Sequence, residues 1–248
     1  AGALGIYTIA YRFGLYSSTN IVSMLGRVLF PVYSRIQSDV ERVKRAYLKS
    51  FYPVAIIVFP VAIGVVVLAG EFVYFVLGPK WTGVEVPLRI LSVYGLFYSL
   101  AAIGSNVFLA LRRQQIPLKV LALEVLLMLG ILYPAAAYGG LFGVAAAVTI
   151  ATVAGSSVSI ILVMKILKIR SQEISKMIVN PLVSSISMGL AMFALKVTFP
   201  ISPALFALEL ILGLAVYIAV MRGLSGDDLE NQIREIVSAF RAKRQSKP

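Results

Sequence analysis

The chain has 248 residues, 59% of them hydrophobic and 14% charged, with a mean hydropathy of +0.90. That composition excludes a soluble domain and points to an all-α polytopic membrane protein. The net charge of +12 needs no nucleic acid as partner, because the cations alternate between connectors as the positive-inside rule requires.

Seven spans are predicted, at about 5–33, 53–77, 86–111, 117–138, 141–164, 178–199 and 203–221. The chain begins with Ala and opens directly as a span, with no cleavable signal peptide, so a preceding part of a longer protein is expected. The first span carries Arg12 and Arg27. On a helix at 100° per residue, Arg12, Tyr16, Asn20, Ser23 and Arg27 fall within about 80° of one another. A cationic, polar stripe on a membrane helix should face protein or a water-filled cavity. Two readings stand. The stripe lines a path that accepts an anionic substrate, or each arginine snorkels to its own headgroup layer, the two lying about 22 Å apart along the helix. Asn20 and Ser23 cannot snorkel, which favours the path.

The connector 34–52 holds Arg35, Arg42, Lys44, Arg45 and Lys49. Ser38 and Glu41 have capping-box spacing, and Ile36, Val40, Val43, Tyr47 and Phe51 recur at three to four residues. A short interfacial amphipathic helix near 38–50 is expected. Basic residues return at Arg112, Arg113 and Lys119, at Lys165, Lys168, Arg170 and Lys176, and in the tail from Arg222 to Lys247. Every second connector is therefore basic. That places the N-terminus of this chain outside and its C-terminus in the cytoplasm.

Pro53, Pro87, Pro117, Pro181 and Pro203 are expected near span starts, where a missing N–H costs little. Pro60 and Pro134 fall inside spans and should kink them. Small residues from Gly139 to Ala147 predict close helix packing. Glu71, Arg89, Lys196 and Glu209 lie toward the outer side, paired with one another or reaching headgroups. Glu124 lies deeper, in the fourth span, either paired with Arg27 or acting as a protonatable group for ion coupling. Ser92, Ser99 and Asn106 form a weaker polar stripe that faces the same cavity or packs against neighbours. The tail 222–248 reads as an amphipathic basic helix on the inner surface, capped by Ser225 and striped by Leu229, Ile233, Val237 and Phe240.

Neither Cys nor His occurs, and no paired acidic motif is present. Disulfides, thiolate metal sites and histidine bases are excluded; no catalytic residue, metal or cofactor is expected, and the chain is not read as an enzyme.

Four motifs in order carry a resemblance. Gly5-x-Tyr7-x-x-Ala10 opens the first span and Leu29-Phe30-Pro31-x-x-Ser34-Arg35 ends it; Leu77-Gly78-Pro79-Lys80-Trp81 follows the second, and Gly139 to Ala147 opens the fifth. Together they resemble the polysaccharide and O-antigen flippases of the multidrug/oligosaccharidyl-lipid/polysaccharide exporter superfamily. The resemblance implies the C-terminal half of a two-lobed exporter in the plasma or inner membrane. Residues 1–164 would form an incomplete second lobe, 165–221 an extra helix pair, and 222–248 the cytoplasmic tail. It also implies transport of a polyprenyl-pyrophosphate-linked oligosaccharide to the outer leaflet by alternating access, with membrane lipids and the absent N-terminal lobe as partners. A multidrug/cation antiporter and a non-transporting seven-span scaffold remain the rival readings.

Overall fold

The structure is a computed structural model that describes residues 2–226, with the backbone but not the side chains of residues 16–28. Its described residues form helices and turns and no strand: α1 (Ala3–Arg35), α2 (Val40–Phe72), α3 (Glu85–Ala110), α4 (Gln115–Ile166), α5 (Ser171–Thr198) and α6 (Pro203–Ser225). Among the described residues, five segments are long and apolar enough to cross a membrane: Val40–Leu77, Pro79–Ala110, Gln115–Ile166, Ser171–Thr198 and Pro203–Ser225. At 1.5 Å per residue α4 would run about 78 Å, far beyond a hydrocarbon core of about 30 Å. It is broken at Gly140, whose φ of 51° and ψ of −133° end one helix and start the next. The break falls between the two spans predicted at 117–138 and 141–164.

The halves of α4 fold back on each other because glycine permits it. A Cβ on Gly143 would overlap the Ala135 carbonyl, and one on Gly155 would overlap the Glu124 side chain. The expectation of close packing from Gly139 to Ala147 is met here. The second half of α4 packs Ala145, Thr149 and Ser159 against α3, and Val163 approaches so near that a Cβ on Gly104 would lie 2.7 Å from it. The first half buries no residue deeply.

Helix α3 is the hub, packed by α1, α2 and α4. Gly14 of α1 sits directly on Leu91 of α3, 2.9 Å from where a Cβ would be. The pair α5–α6 docks separately, on α2. Gly189 abuts Ile63 of α2, and Gly213 abuts Met192 of α5. Lipid and side chains are equally apolar, so such close approach, rather than exclusion of water, drives helix pairing in a bilayer.

Three expectations are corrected. The residues 38–50 are not a separate interfacial helix. Residues 40–50 are the first turns of α2, which runs unbroken for 33 residues through Pro53, and Val43, Tyr47 and Phe51 are fully buried in the main core. Nothing between residues 40 and 52 breaks the helix, so one continuous element carries both the basic end and the span. Asp39, not Ser38, is the cap: its Oδ1 accepts from the Arg42 amide at 3.1 Å and Oδ2 meets Arg42 Nε at 3.0 Å. An ionised carboxylate holds the exposed amides and the positive helix end better than a hydroxyl does. Pro53 and Pro181 sit inside α2 and α5, because both helices start several residues before the apolar run. Pro203 does open its helix, capped by Ser202, which accepts from the Leu205 amide at 3.1 Å.

Two basic connectors share one cap. Arg112 (φ 57°) and Lys168 (φ 51°) take left-handed backbone just past α3 and α4. The next amides reach back, Arg113 to the Phe108 carbonyl at 2.8 Å and Ile169 to that of Met164 at 2.9 Å, as in a Schellman motif. Lys44 Nζ then bridges to Glu173 at 3.0 Å and ties the basic end of α2 to the start of α5. The tail expected to form a surface helix lies outside the described residues beyond Gly226.

Candidate substrate path

Arg12 is exposed on α1. Ala10, Gly14, Leu15, Leu29 and Tyr33 are buried and, at 100° per residue, occupy an arc that runs from the side opposite Arg12 (Ala10, Gly14) round to about 60° from it (Leu15, Tyr33). Phe30 stands eighteen residues, or five full turns, beyond Arg12 and shares its azimuth; it is 43% exposed. That azimuth borders the arc on which the polar stripe falls by sequence. The side chains of Tyr16, Asn20, Ser23 and Arg27 are outside the described set, and with them the proposed Arg27–Glu124 pair.

The neighbours of Arg12 diverge. Tyr11, one step around the helix, belongs to a row of aromatic rings shared between α1 and α3. Tyr7 stacks on Tyr11 at 6.0 Å, Tyr11 meets Tyr94 at 6.1 Å, and Tyr94 stacks on Tyr98 at 5.8 Å. Tyr11 and Tyr98 keep about a third of their surface open. Glu124, half-buried on α4, lies beside Gly155 and within electrostatic reach of Tyr94. Among the described residues no bond joins Arg12 to Glu124. The sequence reading missed this row, although its signal was present: two tyrosine pairs, each at i,i+4 spacing.

Phe13, one step the other way, meets Phe72 of α2 edge-on at 5.2 Å. It also lines a cavity of about 670 Å³ between α2 and the α5–α6 pair. Along α2 the lining runs from Ile56 to Phe72, about 24 Å of helix. Met188 and Met192 face it from α5, and Phe206, Leu214 and Tyr217 from α6. The lining is apolar apart from the tyrosine. Its hydroxyl is spent on the Ile56 carbonyl at 2.7 Å, which Pro60, four residues on and without an N–H, leaves unpaired.

The third-helix stripe turns back on its own helix. Ser92, Ser99 and Asn106 donate to the carbonyls of Arg89, Gly95 and Ala102 on their own helix at 2.7, 2.8 and 3.0 Å, and both serines are buried. The packing alternative holds, since turning such groups back onto the helix removes unpaired donors from an apolar setting. Of the four charges expected toward the outer side, Glu71 and Lys196 do pair, at 2.7 Å, while Arg89 pairs with Glu85 on its own helix at 2.7 Å.

Residues 1–86 match the family model described as a polysaccharide biosynthesis protein. The chain is 31% identical over 150 residues to the lipopolysaccharide biosynthesis protein WzxC of Escherichia coli (strain K12), covering 60% of this chain and 30% of that one. The chain is thus similar to polysaccharide biosynthesis proteins. It is also 26% identical over 220 residues to the teichuronic acid biosynthesis protein TuaB of Bacillus subtilis (strain 168), covering 88% of this chain and 44% of that protein. The chain thus spans less than half the length of the curated relatives it matches. The fold is that of part of the lipid II flippase MurJ in its inward closed conformation, with a TM-score of 0.74 over 92% of this chain and 48% of that one, at 17% identity. The all-α membrane fold and the resemblance read from the four motifs are both upheld.

Proposed function

We propose that this chain is part of a flippase that carries a polyprenyl-pyrophosphate-linked oligosaccharide from the inner to the outer leaflet. The observation that carries the reading is the side-by-side placement of three surfaces around Arg12. On α1 an exposed guanidinium stands between Tyr11 of the tyrosine row and Phe13, which lines a long apolar groove. The substrate has three matching parts: diphosphate, sugar and hydrocarbon tail. Arginine stays charged and forms paired hydrogen bonds with phosphate oxygens. Tyrosine faces offer apolar surface with a hydroxyl at the rim, which suits sugar rings. The groove accepts an isoprenoid chain without desolvating any polar group.

On this reading residues 1–164 form a lobe that rocks against a second lobe, residues 165–221 supply the groove wall, and 222–248 anchor to the cytoplasmic surface. Arg27, Tyr16, Asn20 and Ser23 extend the binding stripe, and Glu124 is the group that links transport to an ion gradient. The basic connectors then face the cytoplasm, with this chain's N-terminus outside.

The test uses the full-length exporter. Arg12→Ala removes the charge, and Gly64→Phe fills the groove, where Gly64 now leaves Met188 Cε 3.8 Å from the added Cβ. A lost charge-assisted contact of about 1.5–3 kcal/mol lowers export roughly ten- to a hundredfold. Surface polymer should fall and lipid-linked precursor accumulate at unchanged protein level. Full export in both variants would sink the assignment.

A further inference from the structure

At the end of the groove away from the basic connectors, two buried carboxylates lie near Lys196, whose side chain is 25% exposed. Glu71 of α2 is 5% exposed and Glu209 of α6 is 0% exposed. Lys196 of α5 donates from Nζ to Glu71 Oε1 at 2.7 Å and to the Val67 carbonyl at 3.4 Å. Glu71 Oε2 and both oxygens of Glu209 are buried with no hydrogen-bond partner. Glu71 and Lys196 are the charged groups that act on Glu209, one from each helix packed on α6.

Two carboxylates face one ammonium, so the cluster holds one negative charge in excess. A bare carboxylate away from water costs several kcal/mol unless something positive joins it. Phe72, Met192, Phe206 and Leu210, which line the groove, have side chains that supply no donor. Meanwhile the hydrogen bonds from α6 to α2 lie at the other end: Tyr217 to the Ile56 carbonyl at 2.7 Å and Ser225 with Tyr52 at 3.1 Å.

We propose that Glu71, Lys196 and Glu209 form a site for one monovalent cation, a proton or an alkali ion, that fastens the α5–α6 pair to α2 at this end of the groove. With the cation bound, the three helices close over the end of the cavity. Without it, the two carboxylates repel, and α6 swings outward about its bonds at Tyr217 and Ser225. The site concerns what holds the groove shut and is independent of what the groove carries.

The experiment uses the purified full-length protein in lipid nanodiscs. Thermal unfolding is followed while sodium, lithium or potassium replaces choline at fixed ionic strength, and separately while pH is varied. A saturable rise in the midpoint with an alkali ion at fixed pH, lost in Glu209→Gln, identifies that ion. A rise on acidification alone, lost in the same variant, identifies a proton. A midpoint indifferent to both, or a Glu209→Gln protein that responds like wild type, overturns the site. Wild type gives a second readout that requires no variant to fold. Amide exchange over residues 203–213 should slow at least threefold when the cation is supplied, and no change there also overturns it. Neither readout measures export, so failure here is distinguishable from failure of the flippase reading.

Discussion

Proline inside a membrane helix creates a problem that one side chain solves here. Pro60 leaves the Ile56 carbonyl without its usual donor, in surroundings where no water can serve. Tyr217 donates to it across the helix interface at 2.7 Å, so a backbone defect on α2 becomes an anchor for α6. Tyr217→Phe keeps the ring and strands the carbonyl. We expect about 1–3 kcal/mol of lost stability, read as a lower unfolding midpoint, with faster exchange confined to α6. Arg12 works at the same scale by different physics. Its value lies in permanent charge at an open azimuth, so Arg12→Lys, which keeps the charge but loses the planar fork, should retain export between wild type and Arg12→Ala.

At the scale of the element, α4 shows how absent side chains set a fold. Its two halves can lie against each other because Gly143 faces backbone and Gly155 faces the Glu124 side chain. The two contacts predict different rescues. Gly155→Ala overpacks the hairpin by about 1–3 kcal/mol, and adding Glu124→Ala should recover most of it, because the obstructing atoms belong to a side chain. Gly143→Ala obstructs the Ala135 carbonyl, so no side-chain truncation on the facing half should recover it. Unfolding midpoints of the single and double variants form the cycle that decides this. The connector after α4 offers the converse case. Lys168 holds a left-handed conformation that glycine adopts freely, and Lys168→Gly should raise stability by up to about 1 kcal/mol.

At the scale of the whole molecule, the contact that matters is the one between α1 and the groove. Phe13 of α1, next to Arg12, and Phe72 of α2 meet at 5.2 Å, and both line the groove. Joining Phe13→Cys and Phe72→Cys with a short bifunctional thiol reagent, in an exporter freed of other cysteines, should close the groove there. Export should fall at least tenfold and return on reduction, if the linker is a disulfide reagent. Unaltered export in the cross-linked protein would mean that no substrate tail enters by this route.

Local composition decides what a short stretch of chain can do alone, and those features were legible. Length and hydropathy determined that the chain spans a membrane as helices, because twenty apolar residues leave the backbone no other way to satisfy itself. Gly139–Gly140 marked the break in α4, and the alternation of basic connectors marked which ends share a side. Arg12 was visible as a charge out of place. The tertiary structure alone decided where azimuths point and which helices meet. Ser92, Ser99 and Asn106 fitted either a cavity wall or packing by sequence, and each bonds to its own helix. The tyrosine row needed α1 and α3 side by side, and the apolar groove needed the α5–α6 pair seated on α2. Glu71, Lys196 and Glu209 lie up to 138 residues apart, and only packing brings them together. Periodicity reports one helix at a time, whereas a site between helices is set by close approach at Gly14, Gly189 and Gly213, which no single element contains.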